Sequence, residues 1–172
     1  MAGARAEVAE RETRARRRLE REARAINRLT RSVFGRYAPR LQAAAYKRLK
    51  GRLLTDRWLG ARVMVVETTG RRSGKVRATP VVFARDGDAL VSLAANAGND
   101  RTPAWWLNLQ ANPRATIQLY GERFTAVAHE AVGEERERRR EAHRRVYPRG
   151  DEYQRLTERQ IPVVVFERAP SG

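Results

Sequence analysis

Four cationic side chains surround one glycine-bounded turn in the stretch TTGRRSGKVRATP, which spans residues 68–80. Arginine presents a planar fork of N–H donors that grips phosphate or carboxylate with two hydrogen bonds. The hydroxyl groups of Thr69 and Ser73 can add further donors for such a ligand. Judged by charge alone, the turn is either a solvated hairpin tip or a socket for an anion. The four cations are Arg71, Arg72, Lys75 and Arg77.

The six residues Gly70–Lys75 have the form G-x-x-x-G-K but do not make a nucleotide-binding P-loop. That loop has four residues between its glycines and a serine or threonine after its lysine. Here three residues separate the glycines, and a valine follows the lysine. The flanking β-branched residues predict a strand, a turn and a second strand instead. On the second strand, Arg77, Thr79 and Val81 alternate onto one face, so a cation and a hydroxyl line a groove.

Three other groups of residues can contribute to a site, and each also has an ordinary structural interpretation. Ala94–Gly98 is a strand end that runs into a loop of small residues, which lets a flat ring approach the backbone closely. Trp105 and Trp106, on a short helix, either stack on an aromatic ligand or anchor the core. The phenol of Tyr153 either donates a proton or simply packs.

The composition removes several classes of catalytic centre. The chain of 172 residues has no cysteine and only two histidines, so disulfides, thiolate nucleophiles and a zinc site built on histidines alone are excluded. We expect no metal site. No apolar run approaches the ~20 residues of a transmembrane helix, and the N-terminus lacks the apolar core of a secretory signal. We therefore expect a cytoplasmic protein that, as an enzyme, would borrow its chemistry from a cofactor.

Strand and helix signals place these groups on a mainly β scaffold. Apolar alternation and β-branched runs predict about six strands, joined mostly by hairpin-length links. Thr102 is expected to cap a short helix that Pro103 opens and Asn112-Pro113 ends. The pattern favours an α+β domain whose antiparallel sheet is closed or rolled into a small barrel. The predicted strands are Val63–Thr69, Val76–Arg85, Ala89–Ala95, Ala115–Tyr120, Arg123–Ala131 and Pro162–Glu167, and the later helices are Glu134–Val146 and Asp151–Arg159.

The formal net charge of +16 is concentrated in the first third of the chain. Residues 1–62 carry 18 Lys and Arg against 6 Asp and Glu, whereas residues 63–172 carry 18 against 14. A segment as basic as the first can attract nucleic acid or an anionic membrane surface, or it can be a solvated charged helix. All three interpretations stay open at this point.

Charge and hydrophobic patterning together predict that the chain has three parts. Residues 1–31 form a basic helical extension that is polar nearly all round and prone to fray. Residues 32–61 form an amphipathic helix and a linker, and residues 62–172 form the barrel domain. The apolar stripe between Phe34 and Leu49 either packs on the barrel or lies on a lipid surface.

Taken in chain order, four motifs resemble those of the deazaflavin-dependent nitroreductases of actinobacteria, within the flavin/deazaflavin split β-barrel superfamily. The first motif is the basic turn with Thr79-Pro80, and the second is Ala94–Gly98. Together the motifs cover the chain from about Arg62 to Glu167. The third and fourth motifs are Pro103-Ala104-Trp105 with Asn108-Leu109 and Asn112-Pro113, then Tyr153-Gln154 with Thr157 and Ile161–Val165.

The resemblance implies a split barrel that binds coenzyme F-420, a deazaflavin with a phosphate and an oligoglutamate tail. The basic turn would clamp the anionic tail, and the loop Ala95–Gly98 would lie against the ring with Arg101 near its polar side. The implied reaction is hydride transfer to a nitroaromatic, a quinone or an activated enone, with Tyr153 supplying a proton. The implied coenzyme-binding residues are Thr69, Gly70, Arg71, Arg72, Ser73, Gly74, Lys75, Arg77, Thr79, Pro80, Ala95, Asn96, Ala97, Gly98, Arg101, Trp105 and Asn108.

The acceptor side, to which we assign Trp106, departs from the family pattern at two positions. Relatives commonly carry a tyrosine where this chain has Gly150, and Leu156 stands where a further aromatic residue can occur. The missing tyrosine leaves a non-catalytic coenzyme carrier as an alternative to the enzyme. The phosphate clamp alone also allows an FMN-binding split barrel, and residues 1–62 allow a basic module that binds nucleic acid or anionic membrane. The family also suggests a homodimer and peripheral attachment at the inner face of the cell membrane, whereas we do not expect nucleic acid as the partner.

Overall fold

The computed structural model describes residues 62–170, which form seven strands, three helices and a short 3-10 turn at Asn96–Gly98. The two helices that we predict within residues 1–61 lie outside the described residues. The strands are β1 Val63–Thr69, β2 Val76–Val82, β3 Ala84–Asp86, β4 Ala89–Leu93, β5 Arg114–Leu119, β6 Glu122–Glu130 and β7 Val163–Arg168. The helices are α1 Ala104–Ala111, α2 Gly133–Val146 and α3 Arg149–Gln154.

The seven strands form one antiparallel sheet in the order β2-β1-β5-β6-β7-β4-β3. The two edge strands, β2 and β3, are consecutive in the chain and separated only by Phe83, so the sheet must curl until its edges meet there. At this seam the Ser92 hydroxyl of β4 donates a hydrogen bond of 2.9 Å to the Val82 carbonyl of β2. Towards the β1–β2 turn, no described strand pairs with the free edge of β2, and the barrel is split. The predicted fold class is confirmed.

Side chains that alternate inwards along the strands fill the interior. Met64 and Val66 of β1 meet Phe166 of β7 and the two tryptophans of α1 in one buried cluster. The valine run Val163–Val165 is fully buried because β7 is covered on both faces. Val164 faces the interior, whereas its two neighbours belong to a second cluster on the outer face, where α2 packs. Each such valine contributes about 1.5–3 kcal/mol by leaving water.

Helix α2 reaches the sheet mainly through cationic side chains, because its sequence offers almost no apolar residues. Only Arg136 and His143 of this helix are buried. The Arg136 guanidinium donates to the Ile161 carbonyl at 2.9 Å. Arg139 donates to the Asp86 carboxylate at 3.0 Å and to the Asp86 carbonyl at 2.9 Å. These contacts fix α2, and with it the start of α3, against β3, β4 and β7.

Two predicted elements need correction. The strand predicted over Val76–Arg85 is interrupted at Phe83, because the chain there leaves one edge of the sheet and enters the other. The cap predicted at Thr102 is wrong: the N-cap of α1 is Pro103, and no side-chain bond caps the helix.

The third helix also differs from the prediction, since α3 spans Arg149–Gln154 rather than Asp151–Arg159. Pro148 takes the N-cap position, two residues earlier than expected. After the helix, side-chain bonds replace helical ones: the Gln154 amide donates to the Arg159 carbonyl at 2.9 Å and accepts from the Ile161 N–H at 3.0 Å.

Candidate functional site

A cleft of about 410 Å³ opens where the barrel is split, between the β1–β2 turn, β2 and α1. This volume lies in the range of small-molecule and cofactor sites. A second cavity near the β3–β4 and β5–β6 turns, of about 110 Å³, is too small for a cofactor. Nine of the eleven lining residues are among those that the sequence nominates; Ala78 and Ala104 lack functional groups that could have signalled them. The lining residues are Gly70, Arg71, Arg72, Ser73, Arg77, Ala78, Thr79, Pro80, Ala104, Trp105 and Asn108.

The strand register brings the predicted groove residues to the cleft. Val66 and Thr68 of β1 point inwards and are buried. In the antiparallel ladder Thr79 pairs with Val66, and Arg77 pairs with Thr68. Paired residues project from the same face of a sheet, so Arg77 and Thr79 extend the inner face into the split. The cation and the hydroxyl stand in line, as the alternation predicts.

The turn that carries the cations is closed by its own backbone. The Gly70 N–H donates to the Lys75 carbonyl at 2.9 Å, and the Gly74 N–H donates to the Gly70 carbonyl at 2.8 Å. A Cβ on Gly70 would lie 2.9 Å from Ser73 Oγ and 3.1 Å from the Lys75 carbonyl oxygen. A side chain at position 70 would therefore crowd the turn and force Ser73 or the Lys75 carbonyl to shift.

Asn108 of α1 links the helix to the basic turn. Its Nδ2 donates to Thr68 Oγ1 at 3.1 Å, and both residues are almost fully buried. Its Oδ1 accepts from the Arg71 main-chain N–H at 3.2 Å and from Arg71 Nη1 at 3.5 Å. Asn108 thus orients Arg71 at the edge of the cleft, a more specific role than the coenzyme contact that the resemblance implies.

The cations of the turn are not neutralised by any described acidic residue. Within residues 62–170, no carboxylate lies within ion-pair distance of Arg71, Arg72, Lys75 or Arg77. Other arginines of the same region do have carboxylate partners. The site therefore combines donor groups with uncompensated positive charge, the two properties that an anionic ligand requires. The paired arginines are Arg123, Arg139, Arg140, Arg144, Arg145 and Arg168.

The small-residue loop begins at the end of β4, the strand across the seam from β2. Its residues do not line the cleft volume, but they meet the end of α3. Gly98 is buried with a φ of +75°, and a Cβ there would lie 2.8 Å from Leu156 Cβ and 3.0 Å from the Tyr153 carbonyl oxygen. The Asn96 side chain donates to the Arg101 carbonyl at 2.8 Å. The structure therefore joins this loop to Tyr153 and Leu156.

Tyr153 has a partner that the sequence analysis missed. The hydroxyl groups of Tyr147 and Tyr153 lie 3.1 Å apart, in hydrogen-bond contact. Burial, followed by this hydrogen bond, raises the pKa of Tyr153 above its ordinary value. The phenol stays protonated at physiological pH and is a proton donor rather than a base. Only the position of Tyr147 directly before Pro148 signals that it lies near the start of α3.

Two residues assigned to the acceptor side do not line the cleft. Trp106 is 4% exposed and belongs to the core, whereas Trp105 lines the cleft and stacks on Phe166 with ring centroids 6.3 Å apart. Gly150 lies within α3, where a Cβ would approach Leu93 Cδ1 to 2.6 Å. A larger residue at this position would require the Leu93 side chain to shift.

An antiparallel barrel, split beside a basic cleft, defines the class: a flavin or deazaflavin split-barrel protein. The sequence model of the family described as F420H(2)-dependent quinone reductase matches residues 38–168. The chain belongs to this family. The resemblance drawn from the four motifs is confirmed, the enzyme is a reductase dependent on coenzyme F-420, and the family description names a quinone among the acceptors expected.

Individual relatives agree with the family assignment. An F420H(2)-dependent quinone reductase of Mycobacterium tuberculosis (strain H37Rv) is 35% identical over 133 residues, which cover 75% of this chain and 89% of the relative. The solved structure of an F-420-dependent reductase (FDR-A) superposes with a TM-score of 0.57 at 33% identity, over 61% of this chain and 93% of that one. A solved structure described as a domain-swapped dimer gives a TM-score of 0.59 at 29% identity, over 73% and 99%.

Proposed function

We propose that this protein transfers a hydride from reduced coenzyme F-420 to a quinone, with the cleft at the split of the barrel as the coenzyme site. The observation that carries the proposal is the basic turn itself: in a chain of this family, arginines without a carboxylate partner among the described residues line a cleft of cofactor size. When bound, the reduced deazaflavin supplies the hydride.

The residues of the cleft suit the two ends of this coenzyme. Arg71, Arg72 and Arg77 offer guanidinium forks to the phosphate and the carboxylates of the tail. Ala104 and Trp105 give the opposite wall an apolar surface on which a flat ring can lie. The cleft therefore separates an anion-binding end from an aromatic end, and the fit does not depend on any metal.

Tyr153 is our candidate for the proton donor. A quinone that accepts a hydride needs one proton to become the hydroquinone. The Tyr153 phenol carries that proton at neutral pH, and burial and the Tyr147 hydrogen bond, which raise its pKa, keep it protonated. Tyr147 orients the hydroxyl and can return a proton to it from solvent, since the Tyr147 side chain is only half-buried.

Replacing Tyr153 with phenylalanine is expected to lower kcat with a quinone about 100-fold, in the range of lost general acid catalysis. The affinity for oxidised coenzyme F-420 is expected to stay unchanged, because the basic turn is untouched. The measurement is oxidation of the reduced coenzyme followed by absorbance. Tyr147→Phe serves as the control and should lower kcat less, since the Tyr153 phenol remains. Equal kcat for wild type and Tyr153→Phe would remove Tyr153 from the mechanism.

The test of the function as a whole is a parallel titration of the protein with oxidised coenzyme F-420 and with FMN. Tighter binding of F-420 supports the proposal, whereas a preference for FMN replaces it with the flavin alternative. If neither coenzyme binds with a Kd below ~1 mM, which corresponds to a binding free energy of ~4 kcal/mol, the cofactor assignment fails. Turnover with quinones, nitroaromatics and enones then separates an enzyme from a coenzyme carrier.

The N-terminal third gives the proposal a membrane component, because many quinones are lipid-soluble. None of the described helices is long and apolar enough to cross a membrane. The excess of cations in residues 1–62 and the apolar stripe predicted between Phe34 and Leu49 support attachment to a lipid surface. The full chain is expected to sediment with anionic vesicles at low salt and to be released at high salt, where charges are screened. Equal sedimentation with zwitterionic vesicles would contradict an electrostatic attachment.

A homodimer is the assembly that we propose, supported by the relative described as a domain-swapped dimer. Light scattering of the full chain over a range of concentrations tests it, and a monomeric mass throughout would exclude it.

A further inference from the structure

The loop after β4 has a backbone that is costly for its sequence. Asn96, Ala97 and Gly98 follow one another with φ angles of +49°, +51° and +75°. Left-handed backbone costs a residue with a Cβ roughly 1–2 kcal/mol, a cost that glycine escapes. Ala97 has no polar side chain with which to offset it. Contacts from outside must therefore hold the loop in this conformation.

The principal contact is the guanidinium of Arg159, in the segment between α3 and β7. Its Nη2 donates to the carbonyls of Ala94 at 3.0 Å and Ala95 at 2.8 Å. Its Nε donates to the carbonyl of Asn99 at 2.9 Å. These carbonyls lie on both sides of the left-handed triplet, so one planar cation fixes the entry and the exit of the loop.

Arg159 is itself held in place. Its carbonyl accepts from the Gln154 amide, and the Gln154 Oε1 accepts from the Ile161 N–H. A parallel tie runs from Thr157 Oγ1 to Asp100 Oδ1 at 2.8 Å. The segment after α3 is therefore a rigid support from which the guanidinium reaches the loop.

The contact requires arginine rather than any cation. No described carboxylate lies within ion-pair distance of Arg159, and its remaining nitrogen, Nη1, is buried without a partner among the described residues. The Arg159 guanidinium therefore binds main-chain carbonyls, while its Nη1 donor stays unsatisfied among the described residues. Lysine carries a point charge on a flexible stem and cannot present the same fixed fork.

We propose that Arg159 is a positioning residue for the coenzyme ring: it holds residues 96–98, which the family resemblance sets against the ring, in their left-handed conformation beside Tyr153 and next to the cleft. The inference rests on the proposed function. Gly98 connects the two parts, since it packs against the Tyr153 carbonyl and Leu156. Without the Arg159 contacts, the loop relaxes to a less strained conformation. Part of the free energy of ring binding must then restore the left-handed conformation.

The test compares Arg159→Lys and Arg159→Met with wild type. In each variant, binding of the coenzyme must restore the left-handed loop at a cost of roughly 1–2 kcal/mol. Each variant is therefore expected to raise the Kd for oxidised coenzyme F-420 about tenfold. The amides of residues 96–99 should exchange hydrogen faster than in wild type. The salt dependence of coenzyme binding should stay the same, because the basic turn keeps all its cations.

Arg136→Met is the matched control, because Arg136 is also buried and also donates to a main-chain carbonyl, that of Ile161. It should lower thermal stability as much as the Arg159 variants do and leave the Kd unchanged. If only one Arg159 variant folds, its comparison with Arg136→Met suffices.

An unchanged Kd in the Arg159 variants overturns the proposal, whether or not the loop exchanges faster. So does a weaker Kd with an altered salt dependence, since that would assign Arg159 to the anionic tail. Hydrogen exchange requires no coenzyme. A wild-type protein that fails to bind F-420 refutes the proposed function, and unaltered exchange in a folded Arg159→Lys variant refutes the holding role separately.

Discussion

Replacing Arg71 and Arg77 together with alanine will weaken the binding of oxidised coenzyme F-420 by about 100-fold or more. A hydrogen bond to a charged group contributes about 1.5–3 kcal/mol, and the double variant loses at least two of them. Both residues line the cleft, and neither has a described carboxylate that would compete for it. The measurement is a fluorescence titration at fixed ionic strength, because the interaction is screened by salt.

The control must remove the same charge from another surface. Arg85 and Arg138 are exposed, have no described ion pair, and lie on β3 and α2, away from the cleft. Their double alanine variant should bind the coenzyme within about threefold of wild type, the residual effect of a change in overall charge. If both pairs of substitutions weaken binding equally, the turn contributes only general positive potential and is not a binding site.

The sheet and the basic turn could be read from the sequence because their signals are local. β-branched runs, alternation and the glycines of residues 70–75 depend on neighbouring residues only. The interruption at Phe83 could not be read in this way, because it reflects the meeting of two sheet edges that local patterns do not encode. Thr102 shows the same limit, since α1 begins one residue later than its capping signal indicates, with Pro103 at the N-cap, and local signals place helix ends only to within a residue or two.

The residues of the candidate site show the same difference between local sequence signals and contacts that only the fold creates. The cations of the cleft have a chemical signature in the sequence, and the structure places most of them together. Asn108, Tyr147 and Arg159 act through partners 37, 6 and about 65 residues distant in the chain, and no spacing rule announces such pairs. Trp106 carries the same signal as Trp105, yet only the register of α1 decides which of the two faces the cleft.

His143 of α2 is the buried group with the largest expected effect on stability. It is 2% exposed and faces the Tyr147 ring edge-on, with ring centroids 6.2 Å apart. A Cβ on Gly150 would lie 3.7 Å from its Nδ1, so α3 closes over the imidazole. Neither ring nitrogen has a hydrogen-bond partner of ordinary geometry among the described residues. Burial lowers the pKa of His143 to about 4, against weaker opposing effects of the Val82 backbone and Asp151.

This lowered pKa makes the fold sensitive to acid. In the unfolded chain the imidazole titrates near its ordinary pKa of about 6.5. Between that value and about 4, the unfolded chain binds a proton that the folded protein does not, so stability falls as the pH falls. The expected loss is about 2 kcal/mol from pH 7 to pH 5 and about 3 kcal/mol by pH 4. Above pH 7 His143 contributes no pH dependence, because it is neutral in both states.

Replacing His143 with leucine should remove this part of the pH dependence, since leucine fills a similar volume and leaves no unpaired ring nitrogen. Urea unfolding of wild type and variant at pH 7 and pH 5 measures the difference, and effects of the carboxylates cancel because both proteins share them. His129→Gln is the control: His129 is partly exposed and contacts Glu135, and the acid sensitivity should survive its loss. Parallel pH profiles for wild type and His143→Leu would show that the buried imidazole is not what destabilises the protein in acid. If the profiles diverge as expected, acid acts first where α2, α3 and Tyr147 meet, next to the tyrosine pair that we assign to proton delivery.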